Sequence, residues 1–252
     1  MVDSTLPRPT AFDVLTAPVT LLVGHFGAGK SEICINLAFG WRARGWDVTL
    51  IDLDLVKPYF RSRLVRDELT AQGIKMVLPE GDRVFADLPI VVPGARTGAS
   101  LASVGPCKVL FDVGGADVGA RVLGSLSGLS DPAITDVLFV VNGNRPFAET
   151  PADILRMLRE IERTARVAVT GLVANTHLID ETTPEIIHAG VQLATDVSAE
   201  TGLPIRFWAA VGDLAGHVDG PCRDIPVLPM TRYITPPIGW RAGDARRRSS
   251  LV

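Results

Sequence analysis

The sequence predicts an α/β fold: a doubly wound, mostly parallel sheet with helices on both faces. Short apolar, β-branched runs alternate with stretches of helical periodicity along the chain. Several of these runs end in polar residues, with Asp52, Asp112 and Asn175 each closing one. The first run breaks into a glycine-rich turn that leads straight into a helical pattern. Strands separated by helices pair in parallel through right-handed crossovers. The carboxyl ends of all the strands then share one edge, where such sheets bind ligands.

The glycine-rich turn follows Val19 to Val23 and reads Gly24-His25-Phe26-Gly27-Ala28-Gly29-Lys30-Ser31. It fits G-x-x-x-x-G-K-[ST] at every fixed position, with a strand before it and a helix after it, the context a P-loop requires. Polyphosphate concentrates negative charge in a small volume, so its site needs many donors without side-chain crowding. Glycines let main-chain N–H groups turn inward, and the following helix aims its positive end at the same point. Lys30 is expected to reach the β and γ phosphates, and the Ser31 hydroxyl to take one position on Mg²⁺. The binding stretch runs from Gly24 through Glu32.

With 252 residues, 47% hydrophobic and 21% charged, the chain suits one large domain with a sizeable core. A net charge of −3 offers no general attraction to nucleic acid or anionic membrane, so no such site is expected. Cys34, Cys107 and Cys222 lie far apart without C-x-x-C spacing, which argues against a disulfide framework or a zinc site. Neither a signal-peptide core nor a membrane-length apolar run is present, and a cytoplasmic location is expected.

Residues 1–18 read as an irregular leader, packed loosely if at all, before a single domain over 19–240 and a disordered tail over 241–252. Ile33, Leu37, Ala38 and Trp41 keep helical spacing after the P-loop, and Gly45 marks the stop. Val48 to Asp52 is the second strand, and Asp52-Leu53-Asp54 is delivered to the phosphate edge. Two carboxylates there suit Mg²⁺ binding or the orienting of an attacking water; a strand-end turn stabilised by Asp side chains is the plainer alternative. Lys57 to Arg63 interleaves aromatic and basic residues, suited to docking a partner, to pairing with phosphate or to a solvated helix start, and a helix is expected from Ser62 to about Gln72. Ile74–Leu78 and Pro89–Val92 are short apolar runs, and the region over 80–106 has no firm assignment.

Lys108 to Asp112, followed by Val113-Gly114-Gly115, has the Walker B arrangement: a strand-end Asp112 for Mg²⁺ and glycines in a loop that responds to the γ phosphate. Further strands are expected at Ile134–Val141, Arg166–Ala174 and Ile205–Val211, with a short one near Ile225–Leu228. Thr150-Pro151 and Thr183-Pro184 open helices as N-cap and N1 pairs.

The P-loop, Asp52-Leu53-Asp54, the Asp112 strand and the Asn175 strand end, in that order, resemble the ParA/MinD branch of P-loop ATPases, which includes the CobQ and CobB type domains. The resemblance implies that Asp54 orients the attacking water, Asp112 holds Mg²⁺ with Ser31, and Asn175 reads the adenine edge. It also implies a nucleotide-dependent homodimer. His25 stands where deviant Walker A members carry a signature lysine, so hydrolysis is expected to be slow or partner-stimulated. Asn175-Thr176-His177-Leu178 lacks the N-K-x-D pattern of guanine readers, which favours ATP. The expected function is a Mg²⁺-dependent ATPase that switches or matures an unidentified partner protein. The alternative is an ATP-dependent ligase or amidotransferase of the dethiobiotin synthetase or cobyrinate amidase type.

Overall fold

The computed structural model describes residues 8–53, 63–77, 107–114, 131–218 and 220–234. In chain order these form α1 (Ala11–Val14), β1 (Val19–Gly24), α2 (Lys30–Ala43), β2 (Asp47–Asp52), α3 (Arg63–Ala71), β3 (Lys75–Val77) and β4 (Cys107–Asp112). They continue as β5 (Thr135–Val141), α4 (Pro151–Ala165), β6 (Gly171–Ala174), α5 (Pro184–Thr201), β7 (Ile205–Val211), α6 (Leu214–His217) and β8 (Val227–Met230). The strands form one eight-stranded sheet in the order β3-β2-β4-β1-β5-β6-β7-β8, and every pairing is parallel. Winding goes one way from β1 through β2 and β3 and the other way from β5 onward, so the switch point lies at β1.

Alternation along the buried strands builds two cores. Val19, Leu21 and Val23 of β1, with Val137, Phe139 and Val141 of β5, face α4 and α5. Ile154, Leu158 and Ile161 of α4 and Ile187, Val191 and Ala194 of α5 complete that layer. Leu22, Leu138 and Val140 face the other way, onto Ile33, Leu37, Ala38 and Trp41 of α2 and Val65 and Leu69 of α3. The two Thr-Pro pairs cap their helices as expected: Thr150 accepts from Asp153 N, and Thr183 from Ile186 N. Gly45, at φ +83°, ends the turn after α2.

Over residues 8–18 the leader differs from expectation. Ala11 and Leu15 are fully buried, Phe12 meets Trp41 edge-on at 6.1 Å, and Thr10 bridges to Val227. Main-chain bonds from Val109 N to Pro18 O and from Val227 N to Pro9 O tie the segment to both sides of the sheet. One apolar turn is too short to show periodicity, yet its partners across the sheet supply enough burial to hold it. The fifth expected strand is also shorter: Arg166 sits at φ +54°, closing α4, and pairing begins only at Gly171. The short C-terminal strand runs from Val227 rather than Ile225. The expected helix from Ser62 is α3, and the Ile74–Leu78 run contributes only the short β3. Lys57 to Ser62, the 80–106 region, Gly115 and residues 241–252 lie outside the described residues.

Candidate functional site

The P-loop leaves β1 at the centre of the sheet. Gly24 has φ +138°, and a Cβ there would come within 2.8 Å of Val140 O, so no side chain fits. Gly29, at φ +96°, is the N-cap of α2, and Ile33 N closes the first helical bond onto its carbonyl at 3.0 Å. Lys30 is buried, with Nζ donating to Gly24 O at 3.0 Å and to His25 O at 2.8 Å. The ammonium therefore lies folded across the loop it is expected to serve.

Two side chains from other loops hold the same turn. Arg145 Nε donates to Gly27 O at 2.8 Å, and Asn175 Nδ2 donates to Ala28 O at 2.7 Å. With the carbonyls of Gly24, His25, Gly27 and Ala28 all engaged by side-chain donors, the loop has the form of a nest that turns amides to its concave side. Asn175 is buried, and with Nδ2 committed to Ala28 its Oδ1 has no hydrogen-bond partner.

On the other side of β1, Asp112 ends β4 and Asp52 ends β2. The register sets Asp52 beside Asp112, and Asp112 beside Leu22, two residues before the P-loop glycine. Adjacent parallel strands lie about 4.8 Å apart, so the two carboxyl-bearing residues are neighbours at one edge. Cys34, one turn beyond Lys30, senses this charge. Burial first, then Asp112 and Asp52, push its thiol well above the usual range, while Lys30 pulls it down. Asp112 and Ser31 offer only oxygen donors, which suit a hard divalent cation completed by phosphate oxygens and water. Among the described residues no group of three or more His, Cys, Asp or Glu side chains gathers as a self-sufficient metal cage.

Of the other expected residues, His25 is half-buried on the loop with Nδ1 2.7 Å from Phe26 O, and Phe26 is 44% exposed. Ala28 is buried beneath the turn. Glu32 directs its carboxylate to the amides of Tyr233 and Ile234, so its main-chain N–H is what it offers to phosphate. Asp54 lies outside the described residues. Two residues at this edge have no role in the sequence reading, Arg145 after β5 and His177 after β6, while Asp52 is one of the two carboxylates expected there. Burial, then Arg145 and Arg232, lower His177 to about 4, so its ring is neutral. No periodicity or short motif marks Arg145 or His177.

No protein-family model matches the chain, and no curated protein matches it. Solved structures do match in fold. Cell division protein FtsY from Thermotoga maritima aligns with a TM-score of 0.53 at 19% identity, over 82% of this chain and 66% of that one. Chloroplast FtsY from Physcomitrella patens gives 0.51 at 19% identity, over 88% and 62%. Signal recognition particle 54 kDa protein from Aeropyrum pernix K1, in complex with GDP, gives 0.50 at 17% identity, over 77% and 41%. The chain spans less than two thirds of the length of each of these structures. The fold is the α/β P-loop NTPase fold, with an all-parallel sheet.

Proposed function

We propose that this chain is a Mg²⁺-dependent nucleotide-binding protein that hydrolyses ATP and acts as a switch on a partner protein. The carrying observation is the glycine nest at the switch point of the sheet, with Lys30 folded across it and Asp112 at the adjacent strand end. Lys30 would exchange its two carbonyl partners for β and γ phosphate oxygens. Bound Mg²⁺, held by Ser31 and Asp112, would neutralise charge developing on the transferred phosphoryl group. Asp52 closes β2 at this edge and Asp54 follows it two residues later in sequence; one of them would orient the attacking water.

Adenine is favoured over guanine on a specific ground. A guanine reader of the N-K-x-D type places a carboxylate three residues after its Asn, and position 178 here is Leu178, 41% exposed. The ParA/MinD resemblance supports the switch reading and a nucleotide-dependent second copy. Exposed apolar side chains at the same edge, Phe26, Phe147, Leu178 and Ile179, suit a partner that docks over bound nucleotide.

The test is calorimetric titration of wild type and Lys30→Ala with ATP and GTP, with and without Mg²⁺, followed by phosphate release assays. Wild type binds ATP in preference to GTP, Lys30→Ala loses binding, and Asp112→Asn loses the Mg²⁺ dependence. ATP turnover by Lys30→Ala at the wild-type rate would sink the assignment.

A further inference from the structure

Arg145 and His177 reach the P-loop from the side opposite Asp52 and Asp112. Arg145 lies 118 residues from Gly27 in sequence yet donates Nε to its carbonyl at 2.8 Å. The rest of its guanidinium has no hydrogen-bond or ion-pair partner among the described residues. That leaves a planar fork of donors, the geometry suited to a phosphate, half-buried against Gly27. His177 adds a second free donor. Ile179 N–H faces its Nδ1 at 3.4 Å, so the neutral ring carries its proton on Nε2. That atom would be 3.4 Å from a Cβ on Gly29, so it stands over the first turn of α2. Arg232 flanks the ring too, but its guanidinium is held by Asp180. The loop holds a strained residue, the β-branched Ile179 at φ +58°, and Thr182 Oγ1 accepts from Leu178 N and donates to Ile179 O across it.

The strand order says which part of a ligand meets these groups. The acids on β2 and β4 lie to one side of β1, and the loops after β5 and β6 lie to the other. A phosphate chain with its metal-bound end toward Asp112 must run toward β5 and β6, so its nucleoside end arrives at Arg145 and His177. We propose that Arg145 and His177 form a clasp on the nucleoside-proximal phosphate and sugar of a bound nucleotide, with Arg145 giving the charge and His177 a neutral donor. This rests on the nucleotide-binding reading. It gives the site, in cis, a positive charge beside the loop that lacks a lysine at position 25.

The test compares ADP, ATP and inorganic pyrophosphate by isothermal titration calorimetry on the full chain, with Arg145→Ala, Arg145→Lys, His177→Ala and His177→Asn. Losing a charge-assisted contact corresponds to about a tenfold fall in affinity. Arg145→Ala is expected to weaken ADP and ATP by the same factor, about tenfold, while pyrophosphate changes less than about twofold. His177→Ala weakens both nucleotides by a smaller factor, and His177→Asn, which keeps a donor, restores part of it. Arg145→Lys restores part of the loss through charge alone. An equal loss for ADP and pyrophosphate would mean that Arg145 only braces Gly27, and unchanged ADP affinity would mean no contact; either overturns the clasp. A wild-type chain that binds neither adenine nor guanine nucleotides removes the underlying reading instead, and that result is separate from either.

Discussion

Lys108 is a cation in an apolar place, and its removal makes a sharp prediction about stability and pH. It lies on β4 beneath the leader, 2% exposed, and Nζ donates to Leu15 O at 2.8 Å and to Ala17 O at 2.6 Å. The rings of Trp41 and Trp46 lie 5.0 and 4.9 Å from the same nitrogen. Burial lowers its pKa from 10.5 to about 8, against the opposing pull of Asp136 and Cys107. Two carbonyl partners are as many as a neutral amine can serve, so deprotonation need break neither bond. Between pH 8 and 10.5 the unfolded chain holds a proton that the folded chain has released. Stability therefore rises with pH through that window, and the full cost of the buried charge is present below it. The drop in pKa corresponds to about 3 kcal/mol. Lys108→Met keeps the stem and removes the titration. Urea unfolding followed by tryptophan fluorescence, at intervals from pH 7 to 10.5, gives the wild-type minus variant difference, in which groups that do not interact with Lys108 cancel. That difference is expected to climb by about 3 kcal/mol. A flat or falling difference would refute the assignment of a costly charged lysine at this position.

Other substitutions follow from the same contacts. A Cβ on Gly29 would sit 2.2 Å from Asn175 Nδ2 in a backbone at φ +96°, so Gly29→Ala should lower stability by about 2 kcal/mol and remove measurable nucleotide binding in calorimetry. Gly45→Ala is the control: φ is +83° but nothing lies within 4 Å, so it should cost only about 1 kcal/mol and leave binding intact. Glu32→Ala frees the amides of Tyr233 and Ile234, whose hydrogen exchange should quicken at least about tenfold while that of β1 stays unchanged. Thr150→Ala removes the cap on Asp153 N, an expected loss of about 1 kcal/mol in chemical unfolding with no change in nucleotide affinity.

Legibility in the sequence followed how local the determining interactions are. The P-loop was readable because its glycines are required by its own backbone, and α4 and α5 because Thr-Pro pairs cap them within four residues. The leader was not. Ala11, Phe12 and Leu15 make a single apolar turn, and residues remote in sequence, on α2 and at β7 and β8, give that turn a surface to bury. Of the two aspartates in Asp52-Leu53-Asp54 the ParA/MinD resemblance points to Asp54, whereas strand register places Asp52 beside Asp112. Arg145 and His177 were invisible for a related reason. Each acts on a loop more than a hundred residues earlier, and local sequence carries no trace of such a contact.

The order of strands gives the edge a direction as well as a location. Because β4 lies between β2 and β1, the acidic strand ends are adjacent, and no basic strand end separates them from the P-loop. Because β5 and β6 follow on the other side, the loops carrying Arg145, Asn175 and His177 converge on the opposite flank of the same turn. Carboxylates on one side repel bare phosphate and require a divalent cation there, while a guanidinium and a neutral imidazole on the other attract phosphate without one. An extended polyphosphate laid across the nest thus has one favourable orientation, with its metal-binding end toward Asp112. The orientation follows from topology and two pairs of side chains, and it holds whichever base the nucleotide carries.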